Sequence, residues 1–467
     1  MKHDETTTTM KMIARSVALT LTAALVFVSC ASVRERGTAT PSRVSTTNTA
    51  AADAHSAVRI PLVEQDGLPG ASYAELTADG AWSWFGDPRA VYHEGQRRRT
   101  YVGWVTSSGD VVVAQYDHDT GEVSSSVVAQ ELQVDDHASP SILIREDGRL
   151  MVFYCGHRGR WMIYRISSNP EDATSWGREH AASGHTSEVW GYTYPCAFQL
   201  SGEAGKRYLF WRGRDYLPTF STSETGMVWS DPKVLIDAAG EQPYVKYASD
   251  GTRSIHIAFT DDHPGNRADN SVHYARYADG AFYRADGTLI APADSLPISP
   301  EEADLVYDAA AEGARAWLWD LAFDELGRPV IAFAVFPAED DHRYRYVRWN
   351  GTVWTGVELT EAGRWFPSIE PRRRYFEPYY SGGMALDHSD PSTVYLSMPV
   401  AGVFEIERWT TSDEGASWSH ATVTAGSAEN NVRPLVPVSS SAGGPRLIWM
   451  YGPYMDYTRY GTGLRMK

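Results

Sequence analysis

The chain has 467 residues, a formal net charge of −17 at neutral pH and three cysteines. That balance disfavours nonspecific binding to nucleic acid, which needs a basic footprint, and leaves room for an anionic ligand only in a local cationic pocket. Two cysteines beyond the N-terminal segment, in no CxxC pair, do not make a disulfide scaffold; both adjoin apolar or aromatic residues and read as reduced core thiols.

At the N-terminus, Lys2, Lys11 and Arg15 precede an apolar stretch at 17–28 that runs into Ser29 and Cys30. A basic flank, a short apolar core and a small-residue exit make an export signal. A spanning helix needs about 20 apolar residues, so the stretch is short for a permanent anchor. LVFVSC resembles the end of a bacterial lipoprotein signal, which implies lipidation at Cys30, attachment to a membrane through that lipid, and an outer-membrane or cell-surface protein. Ordinary secretion is the alternative. Residues 31–58, rich in Ser, Thr and Ala without apolar periodicity, read as a tether. The folded part is expected over 59–467, as one domain and as a monomer.

Strand-like runs of aromatic and β-branched residues then recur in pairs at 100–114, 149–166, 207–220 and 253–277. Later pairs fall at 329–336 with 344–349, and at 394–398 with 404–409. A last one begins at 446–451 and is completed by the start of the folded chain. Turn residues such as Ser108-Gly109-Asp110, Glu146-Asp147-Gly148 and Asp286-Gly287 separate the runs. Stretches 285–318 and 354–383 read as long insertions. Such a repeat predicts an all-β radial fold whose inner strand ends share one polar site.

TSDEGASW at 411–418 resembles the Asp-box of sialidase-like propellers, and TSETGMVW at 222–229 is a variant. The acidic group accepts turn hydrogen bonds, Gly allows the tight backbone and Trp packs on the neighbouring blade, so Asp413 and Glu224 read as structural. The expectation is a seven-bladed β-propeller, with an eight-bladed ring or a β-sandwich as alternatives.

The chemistry must come from motifs near the strand ends. WSWFGDPRAVYHEG (82–95), DDHASPSI (135–142), FYCGHRGR (153–160), YTYPCAFQL (192–200), YLFWRG (208–213), QPYVKYASDG (242–251), FTDDHPGN (259–266) and AFYRADG (281–287) occur in that order. Together they resemble the propeller-type ulvan lyases, over most of the chain beyond the tether. The resemblance implies β-elimination on a sulfated, anionic algal polysaccharide: a base takes the C5 proton of a uronic acid, an acid protonates the oxygen leaving C4, and nearby groups hold the carboxylate. No cofactor is required.

Mapped onto these motifs, His137 and Tyr194 are the proton-transfer residues, and His157, Arg212 and Tyr244 hold the substrate and its developing charge. An imidazole can exchange protons near neutral pH. A tyrosine with an ordinary pKa of about 10 needs positive charge nearby to act as a base. Arg212 would supply it, and its planar fork suits a carboxylate. Tyr192, Lys246 and Arg89 are weaker substrate-binding candidates, Tyr192 being the alternative to Tyr194 if the loop register differs. Arg158, Arg160, Arg165 and Arg214 crowd beside the same strands as Arg212, forming a cationic pocket or a solvated rim.

The resemblance also allows a structural zinc or calcium ion, for which Cys196, Asp261, Asp262, His263 and His273 offer side chains, without the closed spacing of a zinc finger. No phosphate loop, HExxH pair or GxSxG elbow appears. The remaining alternatives are a lyase for another rhamnose–uronate polymer, a glycoside hydrolase, or a noncatalytic glycan-binding propeller using YRYVRW (344–349) and RRRYFEPYY (372–380).

Overall fold

The computed structural model describes residues 57–64, 72–184, 191–367, 379–439 and 446–467. The export signal, Cys30, almost all of the tether and most of RRRYFEPYY lie outside them. Ala54–Lys467 forms one compact unit.

Seven sheets of four or more antiparallel strands are arranged as the blades of a propeller, as the paired runs predicted. Their innermost strands are, in order, Ala90–Glu94, Ser141–Ile144, Thr193–Leu200, Val245–Ser249, Arg315–Phe323, Met384–Leu386 and Asn431–Leu435. Second strands such as Leu150–Tyr154 are buried throughout, because each blade is covered on both faces by its neighbours. Continuous apolar spelling, rather than strict alternation, is what such a strand requires. Outer strands such as Ser419–Thr422 lie in solvent and are polar.

The seventh blade is composite. Asn431–Leu435, Ile448–Tyr451 and Gly463–Met466 are joined by Ser72–Thr77 and Leu62–Glu64 from the other end of the folded chain. Val58–Arg59 adds to the outer edge of the first blade. Closure of this kind leaves few open strand edges.

One reading is corrected. The stretch beginning at Trp354 is no insertion at first: Trp354–Gly363 is the outer strand of the fifth blade. Between 285 and 318, Leu289–Pro292 and Asp304–Tyr307 widen the fourth blade.

The Asp-box turns are structural. Asp413 accepts hydrogen bonds from the Thr411 hydroxyl and from the Ser417 amide, both at 2.8 Å, while Trp418 packs edge-on against Tyr346 at 4.9 Å. In the variant box the Ser223 hydroxyl, not the Glu224 carboxylate, accepts from the Gly226 amide at 2.8 Å. Trp229 sits edge-on to Phe153 at 5.6 Å.

Near the axis, Asp320 from the fifth blade faces His388, which follows the inner strand of the sixth, at 3.2 Å, and also accepts from the Leu386 amide at 2.9 Å. Burial penalises both charges, yet each group holds the other ionised. Asp320 is drawn down to about 2 and His388 is raised. The histidine's share of stability is therefore complete below the ordinary imidazole value of about 6.5 and is lost as pH rises through its raised folded value. The aspartate's share fades only as pH falls from the ordinary value of about 3.9. His388→Gln should thus lower the urea midpoint more at about pH 6 than at about pH 9. Equal losses at both would contradict a charged pair.

Candidate active site

Asp135 organises the site. Its carboxylate caps the short turn Asp136–Ala138 by accepting from the His137 amide at 2.9 Å. The same oxygen faces His137 Nδ1 at 2.7 Å, and the second oxygen faces Nδ1 of His157 at 2.9 Å. One carboxylate thereby aligns two imidazoles, whose rings stack at 4.0 Å with an interplanar angle of 1°. Tyr457 stands edge-on to both rings.

Tyr194 enters from the inner strand of the third blade, where pairing is interrupted between Thr193 and Cys196. Its φ of 59° lies in the left-handed region. A bulge re-aims a side chain, and a non-glycine residue held in this region marks strain of the kind found at functional sites. Its ring lies 5.2 Å from His137 and 5.4 Å from Phe85.

Arg212 ends the adjacent strand Lys206–Arg212. It donates to the Tyr244 hydroxyl at 2.6 Å and faces His157 Nε2 at 3.1 Å. Because a guanidinium can only donate, His157 accepts there and keeps its proton on Nδ1, toward Asp135. The guanidinium lies against the rings of Tyr194, Tyr244 and Tyr216, at 4.8, 5.2 and 5.2 Å. Phe85, Tyr194, Trp211, Arg212 and Tyr244, among others, line a narrow pocket of about 20 Å³.

The surroundings separate the two histidines electrically. Burial works against a charge on His137, but Asp135 and Asp136 outweigh it and raise its pKa to about 9. Burial and the neighbouring His137 charge push His157 down to about 4, despite Asp135. Burial also raises the Tyr194 phenol well above its ordinary value, and Arg212 offsets this only in part. Of the two roles open to Tyr194, proton donor or phenolate base, burial favours the neutral donor.

Behind His137 lies a second acidic anchor. Asp136 Oδ1 is 3.0 Å from His137 Nδ1, while Oδ2 receives Arg433 at 2.5 Å and the Tyr454 hydroxyl at 2.7 Å. Arg433 also bonds the Trp82 carbonyl at 2.5 Å and lies over the Tyr454 ring at 4.2 Å. Asp136 and Arg433 are both buried.

His137, His157, Tyr194, Arg212 and Tyr244 are therefore brought together; three other candidates are not. Tyr192 is buried, donates to the Ser183 hydroxyl at 3.1 Å and pairs through its backbone with Gly159. Lys246 is not a surface contact for a polysaccharide: it is 2% exposed, with its ammonium bound to Asp87 and the Trp84 carbonyl. Arg89 is likewise buried and bonded to Asp87 and the Ser83 carbonyl. Both tie down the 82–89 loop beneath Tyr194.

The metal candidates do not converge either. Cys196 donates to the Phe85 carbonyl at 3.3 Å, with burial pushing its thiol up to about 12. His273 pairs with Asp261 at 2.8 Å. Asp262 accepts from the Gln242 and His263 amides, and His263 packs on Trp317 at 4.4 Å. Among the described residues, the donors close enough to hold a metal ion are instead those of Asp135, His137 and His157, all within 4.8 Å of one another. Two imidazoles and a carboxylate suit zinc better than calcium, which prefers oxygen donors. Cys155 and Cys196 are free, buried thiols.

The model of the BNR repeat-containing family matches residues 99–362, more than half of the chain. The chain belongs to this family. Among its relatives is the Ulvan Lyase-PL25 of Pseudoalteromonas sp. (strain PLSV), 23% identical over 303 residues. That alignment spans 55% of this BNR-repeat chain and 61% of the Pseudoalteromonas protein, less than two thirds of it. The Ulvan lyase of Nonlabens ulvanivorans is 21% identical over 388 residues, covering 72% and 76%. In structure, the fold resembles a PL25 ulvan lyase bound to -[GlcA(1-4)Rha3S]-, with a TM-score of 0.63 at 16% identity over 88% of this chain and 95% of that one. It also resembles the polysaccharide lyase Uly1, with a TM-score of 0.54 at 13% identity, covering 88% and 99%.

Sequence reasoning on this BNR-repeat chain missed Asp135 as the bridge between the imidazoles, although it stands in the same DDH triplet as His137. It also missed Arg433, Tyr454 and Tyr457, which lie in no motif and reach the site from the far end of the chain.

Proposed function

We propose that this protein is a polysaccharide lyase that cleaves ulvan, a sulfated rhamnose–uronate polymer, by β-elimination. One observation carries the reading: two carboxylate-aligned imidazoles, a strained tyrosine and a buried arginine from the second and third blades gather in mutual contact. The ulvan lyases among its relatives support the substrate class. Hydrolysis would need two carboxylates free to flank one bond, whereas Asp135 and Asp136 are both taken up by His137, His157, Arg433 and Tyr454.

In the proposed reaction the uronate carboxylate lies against Arg212 and Tyr244, with His157 alongside. Arg212 can present two parallel donors to it, stabilising the charge that grows as C5 loses its proton. His137, tied to Asp135 through Nδ1, takes that proton on Nε2 in its neutral form, which becomes more abundant as pH rises toward about 9, and the resulting imidazolium is held by the two aspartates. The electrons of the C5–H bond form the C4–C5 double bond as the C4–O bond breaks. Tyr194, kept neutral by burial, donates its proton to the departing oxygen. If a zinc ion bound at Asp135, His137 and His157, it would add positive charge beside the carboxylate.

The test is incubation with ulvan, following the ultraviolet absorbance of unsaturated uronate ends. Cleavage with saturated ends only, or binding without cleavage, would overturn the lyase reading. We further propose that the N-terminal segment exports the protein, with Cys30 as its lipid attachment point.

A further inference from the structure

On the sixth blade, Tyr395, Arg408 and Ala421 are directly paired across the neighbouring strands Thr393–Val400, Val403–Thr410 and Ser419–Thr422. Side chains opposite one another in an antiparallel pair stand on the same face of the sheet. That face meets the seventh blade at Leu447, which shares one apolar cluster with Tyr395. Arg446 precedes Leu447, and Lys467 is held to both by backbone hydrogen bonds. Between the two blades lies an open cleft of about 500 Å³ lined by these residues.

Strand register separates the cleft from the candidate site. In the seventh blade Asn431, near Arg433, pairs with Tyr451 at one end. Leu435 and Met466 pair with Ile448 at the other, and Arg446, Leu447 and Lys467 lie beyond that second end. None of the residues lining the cleft belongs to the candidate site.

Three cations gather here in a protein of net charge −17. Arg408, Arg446 and Lys467 are exposed, and among the described residues none has an ion-pair partner, whereas the surface arginines Arg253 and Arg343 pair with Asp279 and Asp341. The Lys467 ammonium donates to the Val423 carbonyl at 3.4 Å. Tyr395 is 4% exposed, yet among the described residues its hydroxyl has no hydrogen-bond partner. A buried phenol usually finds one. Burial raises that phenol and Asp387 adds to the effect, while Arg408 and Arg446 oppose it, so both guanidiniums act on the hydroxyl. Burial of its stem and the Arg408 charge together lower Lys467. Like charges placed around an unpartnered hydroxyl repel one another, and an anion would relieve them.

We propose that this cleft is a second, noncatalytic site for an anionic polysaccharide chain, the identity of the polymer resting on the lyase reading above. Each guanidinium offers a fork of donors to a carboxylate or a sulfate ester, and Tyr395 offers a hydroxyl. Ala421, Val423 and Leu447 give the sugar an apolar floor. The cleft has the size of an ordinary small-ligand site, more than one inorganic anion fills. Being concave, it suits a chain better than the plane of a lipid surface.

The test compares wild type, Arg408→Gln/Arg446→Gln and Tyr395→Phe on long-chain ulvan and on the shortest ulvan oligosaccharides that are cleaved. Losing charge-assisted hydrogen bonds and a second point of attachment should raise KM on the polymer about tenfold in the double variant, with kcat and oligosaccharide cleavage unchanged. Tyr395→Phe, which removes one oxygen, should raise it less. High salt should erase the difference. An unchanged polymer KM overturns the site, and so does an equal loss on both substrates, which would assign the arginines to the fold. Should wild type cleave neither, the lyase reading fails by itself, and electrophoresis through ulvan-containing gels decides the cleft. Retardation that the double variant loses supports it, and equal migration of the two proteins refutes it. Sodium sulfate and phosphatidylglycerol vesicles serve as rival ligands: binding of either that needs Arg408 and Arg446, without such binding of ulvan, overturns the proposal.

Discussion

Tyr194→Phe should reduce kcat on ulvan by about 10²- to 10⁴-fold, the range expected when a positioned proton donor is removed, while leaving the fold intact. The substitution deletes one oxygen and keeps the ring, whose contacts with Phe85 and His137 hold the strained backbone in place. In the proposed reaction Arg212 and Tyr244 bind the carboxylate, so KM should move far less than kcat. Near-native turnover in Tyr194→Phe, with an unchanged denaturant midpoint, would remove Tyr194 from proton transfer and make it a packing residue.

Arg433→Met should be the most destabilising change near the site, costing about 3–5 kcal/mol, as expected when one partner of a buried ion pair is removed. Arg433 and Asp136 are 3% and 1% exposed. Without the guanidinium, Asp136 keeps Tyr454 and His137 but loses the full positive charge that Arg433 placed against it. Asp136→Asn combined with Arg433→Met should recover a substantial part of the loss, since no uncompensated charge then remains buried. Urea unfolding of the three variants measures this. A loss below about 1 kcal/mol in the single variant would mean the pair behaves like a surface salt bridge.

How much was readable beforehand depended on whether a feature was local. The second strands of the blades announce themselves because burial on both faces demands runs such as LMVFY and PVIAFAVF. Trp354–Gly363 was misread because an outer strand facing solvent carries WTGVELTEAG, which has no apolar run to find. His137, His157, Arg212 and Tyr244 each stood in a short motif at a strand end. The choice between Tyr192 and Tyr194 was not readable. Residues two apart share a face in a regular strand, and only the interruption after Thr193 sends one ring to the site and the other to the Ser183 hydroxyl. Nor could spacing reveal Arg433, which meets Asp136 across 297 positions. The donors named for a metal do not gather for a related reason: acidic and imidazole side chains close in sequence at 261–263 are engaged by nearby bonds, whereas the donors that do gather come from two loops fastened by Asp135.

The composite seventh blade has a consequence for how the protein becomes competent. Strand Ser72–Thr77 is a clasp between chain ends, seated beside Gly463–Met466, and the same blade delivers Arg433 to Asp136. A molecule with that clasp undone, by trimming or by incomplete synthesis, would lose the wall that steadies the central imidazole. Closing the ring and seating Arg433 behind the imidazole thus share one blade, so loosening the clasp should weaken both together.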